Sequence, residues 1–432
     1  MSIRGAHDPE ADEATDAILD GDRAFETGTA RAALRHRDFR IIWSGTFASN
    51  IGTWMQNVLL GAFAESLTHD ATYVALIYFA QLGPLLFLAI PGGVLADVLD
   101  RRKVLIWMQI EQLVFSFVLA GLASAPHPSK WGIFACVLAI GVGNAFSGPA
   151  LGAILPTLVP REDMTGAVAL QSVQMNLSRV LGPPIGALLL PVLGIGAVFG
   201  VNALTYLFAV AALVVARGAV HQIRAVASEE GGNRLLSGLR VAYHDRLIRR
   251  ILVTMSLFSV ISLQFVPLMP NIAHDNLGID PTSTGYGLLY AVFGLGAALG
   301  AVTIGSYLAH RNKSRIARWS FVAFAGLLAV FGLLRSDLPA YLDVGALGYA
   351  YFLVITSLST VLQEHLDDKV RGRIMALWIM SFGGMVPIGA LIGGPLVDSG
   401  VFTLSELLLI GAGFALLLAW YCNLIAVGAP AD

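Results

Sequence analysis

The sequence predicts an all-α polytopic membrane protein of twelve transmembrane helices in two pseudo-symmetric six-helix bundles. Three observations carry that prediction. Only 13% of the 432 residues are charged and 56% are hydrophobic, against about 25% charged in an ordinary soluble domain. Apolar runs of span length occur twelve times, each near the roughly 20 residues a helix needs to cross a bilayer. Lysine and arginine are divided very unevenly between alternate connections, which marks one side of the membrane as cytoplasmic.

The chain begins with an acidic tail, residues 1–34. Its first 30 residues hold eight Asp or Glu, two Arg and no apolar core of a secretory signal, a composition that predicts a solvated, disordered segment. Apolar runs then fall at 41–66, 72–96, 104–125, 131–156, 166–190 and 194–216, within a first bundle of residues 35–216. A polar, arginine-rich stretch at 217–248 reads as a cytoplasmic central loop. The second bundle, residues 249–427, contains runs at 249–272, 285–309, 316–335, 338–362, 373–397 and 401–426, before a short tail at 428–432.

Twelve spans return the chain to the side it left. The chain before the first run, residues 1–40, and the segments 97–103, 157–165, 217–250, 310–318 and 363–373 therefore share a face. They hold 24 of the 27 Lys and Arg, all except Lys130 and Arg335 on the other side and Arg179 inside a span. The excess assigns both termini to the cytoplasm. Cys136 and Cys422 lie in apolar runs without metal-ligand spacing and read as small buried hydrophobes. No metal site is expected.

The halves echo each other. Ile185-Gly186-Ala187-Leu188 in the fifth run recurs as Ile388-Gly389-Ala390-Leu391 in the eleventh. The loop His310-Arg311-Asn312-Lys313-Ser314-Arg315 after the eighth run matches the loop after the second in position and basicity, with Ala309 where Asp97 would stand. Two related six-helix halves describe a parallel-repeat transporter with its site near the midplane between them.

The loop after the second run places two acids and three adjacent bases between Asp97 and Lys103. Its spacing, Gly93-x-x-x-Asp97-x-x-x-Arg101-Arg102, resembles the signature loop of the major facilitator superfamily. Val98 stands where the pattern has a base, and Asp100 where it has a turn glycine. The stretches Leu34-Arg35-His36-Arg37-Asp38-Phe39-Arg40, Ile51-Gly52-Thr53-Trp54-Met55-Gln56 and Ala153-Ile154-Leu155-Pro156-Thr157-Leu158-Val159-Pro160 resemble the bacterial branch of siderophore, macrolide and multidrug exporters. The resemblance covers residues 35–427. It implies the major facilitator fold, alternating access and the bacterial inner membrane.

Alternating access needs a cytoplasmic contact made in one state and broken in the other. Gly93, Asp97, Arg101, Arg102, Glu162 and Asp163 are the candidate gate. Asp97 is expected to accept backbone N–H groups at the start of the eleventh span, near Ile374 and Met375, where the helix dipole favours a carboxylate by roughly 0.3–1 kcal/mol. Arg101 is expected to pair with Glu162 or Asp163, while Arg102 and Lys103 also read as positive-inside anchors.

In the fifth span, Gly182-Pro183-Pro184-Ile185-Gly186 resembles the exporter signature Gly-Pro-x-x-Gly-Gly, with Ala187 in the last place. The resemblance implies export. Proline bends a membrane helix and glycine admits a close neighbour; Gly296-Ala297-Ala298-Leu299-Gly300 in the eighth span is the expected partner surface.

Polar residues inside spans mark a cavity or pathway. Asn50, Gln56, Asn144, Gln174, Arg179 and Gln264 are the candidate cavity set, with interhelical hydrogen bonding as the alternative for the amides. Arg179, about 20 Å into its span, wants a carboxylate or an anionic ligand. Burial penalises an ionised carboxyl, so Glu111, about 10 Å into the third span, is a candidate proton site. Asp343 and Glu406, near outer ends of spans, are candidate proton entry sites, and Glu65 sits at a similar end. Trp54, Phe63, Tyr78 and Phe79 suit either hydrophobic substrates or packing.

These features predict a secondary active exporter of small amphipathic or hydrophobic molecules, such as drugs or siderophores, coupled to proton entry. An importer or uniporter, with the fifth-span motif incidental, is the alternative. No phosphate-cradling Gly-x-x-x-x-Gly-Lys-Ser/Thr loop, His-Glu-x-x-His pair or Gly-x-Ser-x-Gly elbow is present, which argues against an enzyme or ATP-driven pump. A receptor would need a larger output domain. No cofactor is expected beyond the proton gradient. The expected partners are a small-molecule substrate and the lipid bilayer, not nucleic acid, with the monomer as working unit.

Overall fold

The computed structural model describes residues 27–216, 234–308 and 310–424, and only the backbone at 89–98, 149, 153, 234–237, 305 and 368–369. The acidic tail lies almost wholly outside this range. Helices α1 (Arg37–Thr68), α2 (Ala71–Val98), α3 (Arg101–Ala123), α4 (Lys130–Ile154), α5 (Met164–Leu193) and α6 (Ile195–Val215) form the first half. The second comprises α7 (Arg246–Asn276), α8 (Thr284–Gly305), α9 (Lys313–Leu333), α10 (Asp337–His365), α11 (Asp368–Asp398) and α12 (Leu404–Tyr421). Eleven of these helices are long and apolar enough to cross a membrane. The exception is α1, which carries Arg37, Asp38, Arg40 and Glu65 in its 32 residues and packs among the others.

Short polar side chains start the spans where the hydropathy reading places them. Asp100 accepts the backbone N–H groups of Arg102 and Lys103 at the start of α3, Ser129 that of Gly132 in α4, and Asn312 that of Arg315 in α9. Each satisfies donors the first helical turn leaves orphaned.

Two spans are not the continuous helices expected. α7 passes through π-turns at Phe258–Ser262 and Ile272–Asn276, with Pro267 and Pro270 between them, and α11 through one at Met380–Gly384. Proline and paired glycines break the backbone ladder there. The central segment is not all loop either: Arg234–His244 is a helix packed on the first turns of α11, with Gly238 beside Arg373.

α1 packs on α5 and α6, α2 on α4, and α3 on α4 and α6; in the second half α8 packs on α10, and α9 on α10 and α12. Two main pairings cross between halves, α2 with α11 and α5 with α8. The second half is welded by aromatic rings, Phe258 lying 5.0 Å from Phe321 and 4.9 Å from Phe324.

The face at which α1 starts and α2 ends carries most of the bases and is called here the basic face. The other is the opposite face. At the opposite face hydrogen bonds join the halves, from Ala71 and Thr72 to Asp398 and from Asn271 to Glu65.

Candidate functional site

Arg179 stands on α5 where the halves meet. Its guanidinium lies 4.6 Å from the ring centre of Trp54 on α1 and 5.5 Å from that of Phe352 on α10. Its Nε is buried without a hydrogen-bond partner. Tyr78 and Tyr351 lie within electrostatic reach of it, and Tyr351 adjoins Phe293, Phe352 and Phe382 at centroid distances of 5.6–6.4 Å. A cation facing aromatic rings from both halves is attracted by their negative faces and keeps donors free for an anionic group. Toward the opposite face the gap narrows to a pocket of ≈ 20 Å³ between Asn57, Tyr78, Gln81, Tyr286 and Tyr290.

The proline-glycine motif builds this arrangement. A Cβ at Gly182 would lie 2.7 Å from the Met55 nitrogen and the Trp54 Cβ, and one at Gly186 would lie 2.7 Å from the Met55 Cγ. The two glycines therefore admit α1, and Trp54 comes to rest over Arg179 one turn away. Pro183 and Pro184 supply no N–H to the carbonyls of Arg179 and Val180. Beside those residues passes α8 at Gly294. The expected surface Gly296–Gly300 is corrected: a Cβ at Gly300 would lie 2.7 Å from the Tyr349 carbonyl, so this stripe faces α10. α5 instead meets Gly287 and Gly294.

The amides divide. Gln56 accepts from Asn202 Nδ2 at 2.8 Å and Gln174 Nε2 donates to Thr46 at 2.9 Å, both buried, so they tie α1 to α6 and to α5. Gln264 Nε2 donates to Val260 in its own helix, leaving a buried, unpartnered Oε1 beside Gly393 of α11. Asn50 and Asn144 are half-buried.

The acids are not brought together. Glu111 on α3 lies against Gly143 of α4 with one buried, unpartnered oxygen, and Asp343 on α10 likewise has one. Glu406 closes a capping box with Thr403, accepting its backbone N–H at 2.8 Å while the Thr403 hydroxyl accepts the Glu406 N–H at 3.2 Å. Thr403-x-x-Glu406 is the sequence signature of that cap, which accounts for the acid without a proton pathway.

At the basic face, only the backbone of Gly93 and Asp97 is described, and the Asp97 side chain lies outside the described residues. Asp163 is engaged by the N-terminal segment. Its carboxylate meets His36 Nε2 at 2.8 Å and the Gly28 N–H at 3.0 Å, drawing the N-terminal segment onto α5. Glu162 lies in the same 3₁₀ turn, Arg161–Asp163. Arg102 is more than an anchor: it donates to the carbonyls of Leu213 at 2.6 Å and Val214 at 2.8 Å, capping the C-terminus of α6.

Sequence reasoning missed the opposite-face contacts. Asp398 ends α11 and accepts from the Ala71 and Thr72 N–H groups that begin α2, at 3.0 and 2.7 Å, with the Thr72 hydroxyl as a third donor. The signal was present: Gly393-Gly394-Pro395-Leu396-Val397-Asp398 repeats the pattern of Gly92-Gly93-Val94-Leu95-Ala96-Asp97. Glu65 is fully buried rather than water-exposed, because Asn271 of α7 donates to it and His69 and His274 cover it.

Residues 28–428 match the family model described as transmembrane secretion effector. The enterobactin exporter EntS of Shigella boydii serotype 18 is 29% identical over 367 residues, 83% of this chain and 85% of the exporter. That of Escherichia coli O1:K1 / APEC is 29% identical over 363 residues with the same coverage. Among solved structures, the nucleoside transporter NupG (D323A mutant) superposes with TM-score 0.73 at 15% identity, over 90% of this chain and 100% of that one. A bacterial homologue of the iron transporter ferroportin gives 0.66 at 13%, over 90% and 98%. The twelve-helix, two-bundle architecture is common ground.

Proposed function

The chain belongs to the transmembrane secretion effector family and has the major facilitator fold, and on that premise we propose that it is a proton-coupled exporter of small amphipathic molecules of the siderophore or drug kind. The relatives named enterobactin exporters favour export and the siderophore class. The observation that carries the reading is Arg179, held between the halves beneath Trp54 and Phe352 with an unpartnered donor. A ligand with an aromatic or apolar body and an anionic or acceptor group fits that chemistry, the rings taking the body and the guanidinium the acceptor.

In this reading the basic face is cytoplasmic, both termini lie there, and the membrane is the bacterial inner membrane. The halves, 35–216 and 249–427, rock about the Arg179 level. The described state is closed at the opposite face by Asp398 and Glu65, so substrate enters from the cytoplasm. Asp97 and Arg101 belong to the contact that forms when the basic face closes. Glu111 and Asp343 are the proton carriers of choice, each a buried carboxyl with an unpartnered oxygen. The monomer is the working unit.

The test is pH-gradient-driven transport in proteoliposomes with catecholate compounds and hydrophobic drugs, comparing wild type with Asp97→Asn and Glu111→Gln. Gradient-dependent movement, lost in Asp97→Asn, is expected. Glu111→Gln is expected to lose gradient-driven transport and keep counterflow exchange. Equilibration indifferent to the gradient would make the protein a uniporter.

A further inference from the structure

Three side chains from the two halves converge at the opposite face, away from the Arg179 site. Glu65 lies in the last turn of α1. His69 ends that helix with φ 49°, the one non-glycine residue with positive φ among the described residues. This left-handed cap, uncommon for a side chain other than Asn, Asp or His, places the imidazole beside the carboxylate, with Nδ1 3.6 Å from Glu65 Oε1. His274, on the Ile272–Asn276 turn of the other half, brings its Nδ1 to 3.8 Å from the same oxygen. The two rings are 5.3 Å apart.

Those separations are too long for hydrogen bonds. They are close to the spacing of about 3.4 Å between two donors that each lie 2.0–2.1 Å from one tetrahedral ion. One donor atom from each of Glu65, His69 and His274 lies within 4.8 Å of the other two. Asn271 donates to the second Glu65 oxygen and so fixes the carboxylate with Oε1 toward the rings. Asp275 Oδ1 lies 2.8 Å from His274 Nδ1 and holds that ring beside Glu65, a contact the incoming ion replaces at Nδ1. The histidines are accessible, with side chains 65% and 45% exposed, while the carboxylate is 2% exposed.

We propose that Glu65, His69 and His274 form a site for a divalent transition-metal ion of the zinc type, which staples the halves together at the opposite face. Two imidazoles and a carboxylate are a donor set that suits Zn²⁺. Because His69 and Glu65 belong to one half and His274 to the other, the set is complete only while this face is closed. An ion that binds one conformation better shifts the population toward it, so zinc on that side of the membrane acts as a brake on opening. The site stands on its own geometry and does not depend on which substrate is carried.

The test uses the full chain in detergent, titrated with Zn²⁺ by calorimetry at mildly alkaline pH, where imidazole is neutral. Wild type is compared with His69→Asn, which tolerates the left-handed cap, with His274→Ala and with the double variant; both side chains are solvent-accessible, so the core is undisturbed. One saturable ion per chain is expected, with affinity falling at least about ten-fold in each single variant. Spin labels at Pro126→Cys and Leu338→Cys, on opposite halves of this face, should show the distance distribution narrowing with Zn²⁺ in wild type and not in the double variant. No saturable binding, binding that survives in the double variant, or a wild-type distribution indifferent to Zn²⁺ would each overturn the proposal.

Discussion

Asp398, the last residue of α11, caps a helix of the other half: its Oδ2 accepts the Thr72 N–H at 2.7 Å in the first turn of α2. Its Oδ1 takes the neighbouring Ala71 N–H at 3.0 Å. Gly394, one turn before Asp398, makes room, since a Cβ there would lie 2.7 Å from the Ala71 carbonyl. The Gly-x-x-x-Asp spacing at the end of α2 recurs at the end of α11, and these helices run in opposite directions. In the alternating access proposed above, each face uses one such acid, Asp398 here and Asp97 at the basic face, and the halves exchange one contact for the other.

Asp398→Ala is expected to loosen the opposite face. It orphans two backbone N–H groups and removes a charge favoured by the α2 dipole, together worth about 1–2 kcal/mol. That is roughly a 5–30-fold change in the conformational equilibrium. The label pair at Pro126 and Leu338 measures it: the variant should populate longer distances, and a distribution unchanged from wild type would remove Asp398 from the latch.

The same contact is expected to depend on pH. Burial, and then a hydrogen bond with Asp398, raise the Asp70 carboxyl above the ordinary aspartate value of 3.8. The proton is thus held better in the closed form than in one where the two acids part. By linkage, the closed form gains below the raised pKa and loses that gain as pH rises through it. Distances recorded at about pH 4 and about pH 8 should lengthen at the higher value. Asp70→Asn, which keeps the helix cap and cannot ionise, should flatten the difference.

Much of this was legible in the sequence. Runs of apolar residues and the positions of Asp100, Ser129 and Asn312 fix where spans lie and start, since bilayer thickness and orphaned N–H groups are local constraints. Arg179 was legible as a lone base deep in a span. Its rings were not, because Phe352 approaches from a helix more than 170 residues away and an all-apolar helix hides which face turns inward. Gln56 and Gln174 read equally as cavity or interhelical residues, and only the placement of Asn202 and Thr46 decides. The Glu65–His274 and Asp398–Thr72 contacts join residues that the sequence shows merely as polar ends of spans.

Arg179→Ala is expected to abolish transport with little change in thermal stability, because the guanidinium donates no hydrogen bond from its Nε and sits against rings it does not hold in place. Arg179→Lys keeps the charge yet loses the planar face that stacks on Trp54, so it should retain only part of the activity. Transport assays beside thermal unfolding in detergent separate the two. Unfolding well below wild type in Arg179→Ala would make the residue a structural strut.

Gly182→Ala tests whether the proline-glycine motif positions α1. An alanine gains up to about 1 kcal/mol in helix propensity over glycine. At this site its Cβ meets the Met55 nitrogen and the Ile51 carbonyl at 2.7 and 2.8 Å, backbone atoms that cannot turn aside. Overpacking of that kind costs about 1–3 kcal/mol, so the net effect is destabilising, and Trp54 is pushed off the Arg179 guanidinium. Gly121→Ala on α3, where a Cβ meets nothing within 4 Å, takes only the propensity gain and should be neutral or slightly stabilising. The pair therefore predicts melting temperatures that move in opposite directions, with substrate export falling in Gly182→Ala alone. If both variants melt together, the close approach of α1 to α5 is not what the motif secures.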